Sequence, residues 1–333
     1  MLTLPTVVST GVALADRPAY RPFTVRVTRI RQLSPHFRRV TFAGPDLRAW
    51  GAGGLDQRIK ILFPFEGGRF GDLGLGDAGP DAAPGSGSGS SAGARPTWHE
   101  QWRALAPEDR NPFRTYTVRA ARPGRAEVDV DFVDHAGSGP AARWLAAAGS
   151  GDPVVLIGPD GRSAQQAGID WRPGDATHAL LVGDETAVPA VCAILESLPA
   201  GSAATVLLEV PTADDVLPVP VGHGVGLTWL PRGSAPVGSR LGPAVRGWLA
   251  AHPEHWHPAR ATAAQVLPAI DVDHETLWEG ADRSTDRGFY AWLAGESAMI
   301  RSLRRSLVAD HGVDRRQVAF MGYWRLGRPE RQQ

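Results

Sequence analysis

The chain has 333 residues, 43% of them hydrophobic, with 35 basic and 35 acidic side chains. That apolar fraction supports one large or two ordinary cores and excludes a wholly disordered chain, while zero formal net charge gives no case for nucleic acid or an anionic membrane surface as partner. The single cysteine, Cys192, excludes an internal disulfide framework and a Cys-ligated iron–sulfur cluster, and agrees with a cytoplasmic location. No apolar run reaches the roughly 18 residues of a membrane span. Met1 to Ala15 has no basic residue ahead of its apolar part and reads as a loose extension rather than a signal peptide.

In chain order, Phe23-x-Val25-x-Val27-x-x-Ile30 and Phe37-x-x-Val40-x-Phe42 predict two strands about a Ser34-Pro35 turn. Ile59 to Phe63 is a further strand, with Lys60 and Leu62 on one face. Residues 66–95, rich in Gly, Ala, Ser and Asp, bury too little apolar surface to order themselves and are expected to be a flexible insertion. A short helix is expected over Trp98 to Leu105, then strands at Arg114, at Glu127 to Val133 and at Pro153 to Ile157. Short strands separated by frequent turns predict an antiparallel barrel.

Trp171-Arg172-Pro173-Gly174 has linker composition, and after it the rhythm changes. Strands are expected at His178 to Gly183, Thr205 to Val210, Leu227 to Leu230, Phe289 to Ala294 and Val318 to Trp324. Between them fall an amphipathic helix over Ala187 to Leu198, a helix over Leu241 to Ala251 and a basic amphipathic helix over Ser297 to Asp310. Such alternation predicts a parallel sheet with helices on both faces, binding ligands beyond the carboxyl ends of its strands. Gly183-Asp184-Glu185-Thr186 and Gly295-Glu296-Ser297 sit at two such ends. The domains expected are 20–166 and 175–328.

The chemistry centres on Arg114-Thr115-Tyr116-Thr117-Val118-Arg119. On a strand, Arg114 and Tyr116 share one face and Thr115 and Thr117 the other, which offers a planar cation for phosphate and a flat ring for stacking. Downstream, Gly137-Ser138-Gly139-Pro140-Ala141-Ala142 reads as a small-residue turn into a helix, with free amides suited to a pyrophosphate. Lys60 is the only lysine in a chain whose basic charge is otherwise arginine. His252-Pro253-Glu254-His255-Trp256-His257 invites a metal reading, but no nearby cysteine or second cluster completes a shell, so no metal is assigned. Neither a Ser-His-Asp set nor a paired carboxylate for hydrolysis is evident, so no catalytic side chain is assigned.

With the Asp56-Gln57-Arg58-Ile59-Lys60-Ile61-Leu62-Phe63-Pro64 segment, the Gly183 to Ala190 segment, and Gly295-Glu296 with Gly322-Tyr323-Trp324-Arg325-Leu326-Gly327, the chain resembles the siderophore-interacting proteins over roughly residues 20 to 328. These are FAD-dependent ferric-siderophore reductases of the ferredoxin–NADP reductase superfamily. The resemblance implies a fold of an FAD-binding barrel followed by a parallel-sheet α/β domain. It implies that Arg114 binds a phosphate, Tyr116 packs on the flavin, Thr117 hydrogen-bonds its ring system, and Val118, Asp131, Val133 and His135 lie along the cofactor. Gly139, Pro140 and Ala141 would hold the pyrophosphate; Trp144 reads equally as support beneath it or as core. Asp184, Thr186 and Trp324 would approach the flavin from the second domain. Lys60, Arg325 and Arg162, with Arg143 as an alternative, would form a basic pocket for an anionic ferric siderophore. Only the first glycine of a pyridine-nucleotide loop remains at Gly183, so the donor stays open between NAD(P)H and reduced ferredoxin. Arg301, Arg304 and Arg305 on one helix side offer a docking face for the latter. A cytoplasmic monomer reducing Fe(III) to Fe(II) is expected, with a general NAD(P)H reductase or a flavin-free siderophore-binding module as rivals.

Overall fold

The computed structural model describes residues 17–51, 53–72, 97–134, 137, 139–165, 167–268, 270, 277–282 and 288–328. Met1 to Ala15, His135 and most of the Gly/Ser-rich insertion lie outside them. Residues 66–72 of that insertion, expected to be flexible, are described and tied down. Gly71 donates its amide to Asn111 Oδ1 at 2.7 Å, and Arg69 pairs with Asp109 at 2.8 Å.

The first half is a closed six-stranded antiparallel barrel in the order β1-β2-β5-β4-β3-β6, formed by β1 (Tyr20–Ser34), β2 (Phe37–Ala43), β3 (Arg58–Leu62), β4 (Phe113–Arg122), β5 (Glu127–Val133) and β6 (Pro153–Pro159). In β1, buried Phe23, Val25 and Val27 alternate with exposed Thr24, Arg26 and Thr28. This period of two turns one face to the core and one to water. Helix α1 (Trp98–Ala104) opens with a Thr97/Glu100 capping box, and α2 (Pro140–Ala147) carries proline in its first turn.

The second half is a six-stranded sheet ordered β10-β12-β11-β7-β8-β9. Its strands are β7 (His178–Gly183), β8 (Ala204–Val210), β9 (Val225–Pro231), β10 (Trp278–Glu279), β11 (Phe289–Glu296) and β12 (Val318–Trp324). Its helices are α3 (Val188–Ser197), α4 (Leu241–Ala251), α5 (Pro253–Trp256) and α6 (Ser297–Arg304). Every residue of β7 and β11 is buried, as in the interior of a parallel sheet covered on both faces. One core layer contains α3 and the other contains α4 and α6.

Three sequence expectations change. Helix α3 is not amphipathic: Val188 through Leu195 are all buried, because the barrel covers the side that the sheet leaves free. The basic helix ends as a regular helix at Arg304 and continues as a wider π-type turn over Arg305–Asp310. Arg304 does not share a solvated face with Arg301 and Arg305. It is 4% exposed and grips the Glu279 carboxylate with two bonds, of 3.0 and 2.6 Å. That grip anchors β10, a two-residue antiparallel edge strand too short to show a period. No helix is long and apolar enough to cross a membrane among the described residues.

Ties through Asp56, Asp215 and Arg119 help to join the two halves. Asp56, on the approach to β3, accepts hydrogen bonds from the amides of Asp170 and Trp171 and from Trp292 Nε1 at 3.0 Å. The linker-like Trp171 is thereby pinned and 2% exposed. Asp215 accepts from Ser34 Oγ at 2.7 Å and the His36 amide at 2.9 Å. Arg119 of β4 forms a two-pronged pair with Glu196 of α3.

Candidate functional site

Between barrel and sheet lies a cleft of about 880 Å3. Strand β4 runs through it, and both of its faces contribute. Ladder partners share a face, and Lys60 lies opposite Thr115, Arg58 opposite Thr117, Ile61 opposite Arg114 and Ile59 opposite Tyr116. Arg114 and Tyr116 therefore stand on the side of the barrel core, where the Tyr116 ring is backed by Phe132 at 4.4 Å. Thr115, Thr117, Arg58 and Lys60 stand on the other side. Lys60 Nζ donates to Thr115 Oγ1 at 2.6 Å and lies 5.2 Å from the centre of the Phe113 ring. Strand alternation thus puts Arg114 on one side of the ladder and Lys60 with Arg58 on the other.

The turn into α2 brings Gly139, Ala141 and Ala142 to the cleft wall. Gly139 is the N-cap and has no side-chain cap, so the first-turn amides are left for another acceptor. Asp131 and Val133 of β5 also line the cleft. The Asp131 carboxylate accepts from Arg39 at 2.6 and 2.8 Å. Val118 is 1% exposed in the barrel core and does not line the cleft, nor does Pro140. Trp144 packs among Phe42, Phe63 and Phe132, with ring centres 5.2–6.2 Å away; of its two readings, the structure places it with the core aromatics. His135 is outside the described residues.

From the sheet side, Thr186, Ser297, Trp324 and Arg325 face the cleft. Asp184 does not; it is fully buried behind them and orients Thr186 and Trp324. Its Oδ1 accepts from the Thr186 amide and hydroxyl at 2.9 and 2.6 Å, and its Oδ2 from the Glu296 amide and Trp324 Nε1 at 2.7 and 2.8 Å. The space is tight: at Gly295, φ is +152° and a Cβ would fall 2.6 Å from Asp184 Oδ2, so glycine is required there. Burial and the neighbouring Glu185 push the Asp184 carboxyl up to about 7. The folded chain then holds this proton more tightly than the unfolded one. Its contribution to stability is complete below about pH 4 and is lost as pH rises through 7. Between pH 4 and 7.5 the wild-type melting temperature is expected to fall more steeply than that of Asp184→Asn, and parallel profiles would contradict this.

The start of α3, where a pyridine nucleotide would place its pyrophosphate, has spent its donors. The Thr186 amide serves Asp184 Oδ1, Ala187 and Val188 donate to the Asp184 and Glu185 carbonyls, and Pro189 has no N–H. Glu185 itself is held by Arg232 in two bonds of 2.6 Å, and Glu209 caps α4 through the amides of Gly238, Arg240 and Leu241.

Of the predicted chelate ligands, the cleft brings together Lys60 and Arg325. Arg162 is elsewhere, with Nε and NH2 on Asp160 at 2.9 and 3.0 Å. Sequence reasoning missed Arg58, Trp278, Tyr323 and Arg328, all on the wall. Arg58 lies 3.9 Å over the Trp278 ring, which stacks on Tyr323 at 5.6 Å and 12°. Arg58 was findable, being two residues before Lys60 on the same strand. Trp278 was not, because it sits on the two-residue β10.

Residues 26–163 match the family profile described as the siderophore-interacting FAD-binding domain, and residues 176–327 match the one described as siderophore-interacting protein. The ferric vibriobactin reductase ViuB of Vibrio cholerae is 26% identical over 309 residues, covering 93% of this chain and 91% of that protein. The crystal structure of the siderophore-interacting protein SipS from Aeromonas hydrophila superposes with a TM-score of 0.61 at 26% identity, covering 94% of each chain. A ferredoxin NADP+ reductase from Neisseria gonorrhoeae, with bound FAD and NADP, shares the fold at a TM-score of 0.52 and 10% identity, over 92% of this chain and all of that one.

Proposed function

Because the chain belongs to the siderophore-interacting protein family, we propose that it is an FAD-dependent reductase of ferric siderophores, converting Fe(III) to Fe(II) so that iron leaves the chelate in the cytoplasm. The observation that supports this reading most is the cleft itself, whose wall combines Arg114, Tyr116 and the start of α2 with Lys60 and Arg58 of the barrel and Arg325 of the sheet side. These residues fit FAD. An uncapped helix start and a guanidinium suit its pyrophosphate, and flat rings from both domains, Tyr116 and Trp324, suit its ring system. Thr117 and Thr186 offer hydroxyls there. When bound, FAD supplies the electron transfer to iron, which needs no side-chain acid, base or nucleophile.

The protein's part is placement and charge. Asp184 fixes Trp324 and Thr186 against the barrel; Lys60, Arg58 and Arg325 attract an anionic chelate to the cleft. Fe(II) is held more weakly than Fe(III) by hard oxygen donors, so reduction loosens the complex. The spent amides at α3 favour a donor that does not anchor a pyrophosphate there. This counts toward reduced ferredoxin, or toward NAD(P)H held by other contacts, and against a general NAD(P)H reductase.

Lys60→Glu tests the substrate side. An anionic ferric chelate is expected to show a KM raised about tenfold or more, from the loss and reversal of one charge-assisted contact. The ratio of FAD to protein should stay at the wild-type value, because the contact assigned to the pyrophosphate, Arg114, is on the opposite side of the ladder from Lys60 and keeps its place when Lys60 is changed. Unchanged chelate kinetics would remove the assigned pocket.

A further inference from the structure

The spacing of His252, Glu254 and His255 gives no metal shell by itself. Folding supplies what the spacing lacks. The chain breaks between α4 and α5 at His252 (φ −130°, ψ 53°), and the turn folds three ligand-type side chains onto one spot. His252 Nδ1 lies 3.3 Å from Glu254 Oε1, His255 Nε2 lies 3.7 Å from the same oxygen, and all three ligand atoms fall within 4.8 Å of one another. A tetrahedral ion with bonds of about 2.0–2.2 Å spaces its ligand atoms about 3.3 Å apart, so only small rotations are needed.

The group is supported from below. The His255 ring lies on His178, the first residue of β7, at 3.9 Å and 8°, and both are parallel to Trp248. His178 Nε2 is engaged with Thr205 Oγ1 at 3.1 Å, so this ring acts as a platform. Stacking fixes the plane of His255, which lowers the entropy lost on ligation. Glu254 is 60% and His252 46% exposed, leaving an open side for water or a further ligand.

We propose that His252, Glu254 and His255 bind a borderline first-row divalent cation, with Zn2+ as the representative ion. Two imidazoles and one carboxylate suit such ions, whereas hard ions such as Mg2+ prefer all-oxygen sites. The site is at the amino-terminal end of the sheet strands and the cleft at their carboxyl ends, so occupancy is independent of flavin and chelate.

The test is calorimetric titration of the untagged full chain with Zn2+, and with Mg2+ as the hard-ion control. One saturable equivalent of Zn2+ is expected, with no binding of Mg2+. His252→Ala and Glu254→Gln, both at exposed positions, should each weaken Zn2+ binding about tenfold or more. The Zn2+-induced rise in melting temperature should disappear with them. Zn2+ binding unaffected by both substitutions, no saturable binding, or equal binding of Mg2+ would overturn the assignment.

Discussion

Arg114→Ala is expected to weaken FAD binding by about 10- to 100-fold, the cost of losing a charge-assisted, two-pronged contact to phosphate. The fold should survive. Arg114 is only half-buried, its backbone stays in the β3–β4 ladder, and its guanidinium donates to the carbonyl of its neighbour Phe113, at 2.7 Å. Arg114→Lys should fall between the two, because an ammonium keeps the charge and loses the planar fork. Quenching of flavin fluorescence in a titration measures the affinity, and far-ultraviolet circular dichroism checks the barrel. Wild-type affinity in Arg114→Ala would move the pyrophosphate elsewhere.

Asp56→Ala is expected to be the most damaging single change for stability, costing about 3–5 kcal/mol. It strands two buried donors, the Trp171 amide and Trp292 Nε1, at roughly 1–3 kcal/mol each, and the half-buried Asp170 amide at less, before water or local shifts soften the loss. Burial pushes the Asp56 carboxyl up to about 6, so the wild-type tie works against a desolvation cost that the substitution also relieves. For that reason the expected figure is well below the sum of three stranded donors. Asp56→Asn should also destabilise, because its NH2 would face at least one of the same donors. The readout is the melting temperature, with limited proteolysis of the segment around Trp171 as a local probe. A melting temperature within a degree of wild type would show that the tie carries no stability.

The barrel was readable because its strands alternate. Phe23, Val25 and Val27 mark one face without ambiguity, and turn residues mark the ends. The parallel strands were readable for the opposite reason, since continuous apolar runs such as His178–Gly183 are what doubly covered strands require. Helix α3 misled because burial on two sides erases the polar stripe that defines amphipathicity. Arg304 misled because sequence gives a helix position but not the Glu279 carboxylate waiting beneath it.

At the site, the alternation of β4 predicted which residues share a face. It did not predict that the cleft takes in both faces, which depends on where the second domain sits. Asp184 was expected to approach the flavin from the second domain, and its place is one layer back from the cleft, holding Trp324 and Thr186. Trp278 comes from a segment with no motif and reaches the cleft through tertiary structure alone.

The most direct test of the central claim, that one cleft holds FAD beside an anionic ferric chelate, is an anaerobic single-turnover experiment. FAD-loaded protein, fully reduced beforehand, is mixed with a ferric catecholate complex; flavin absorbance and capture of iron by a ferrous-selective chelator are followed together. Return of the oxidised flavin spectrum with about two Fe(II) released per flavin, from two electrons carried, is the predicted result. Protein that takes up no FAD, or a reduced flavin that persists unchanged beside the chelate, would contradict it.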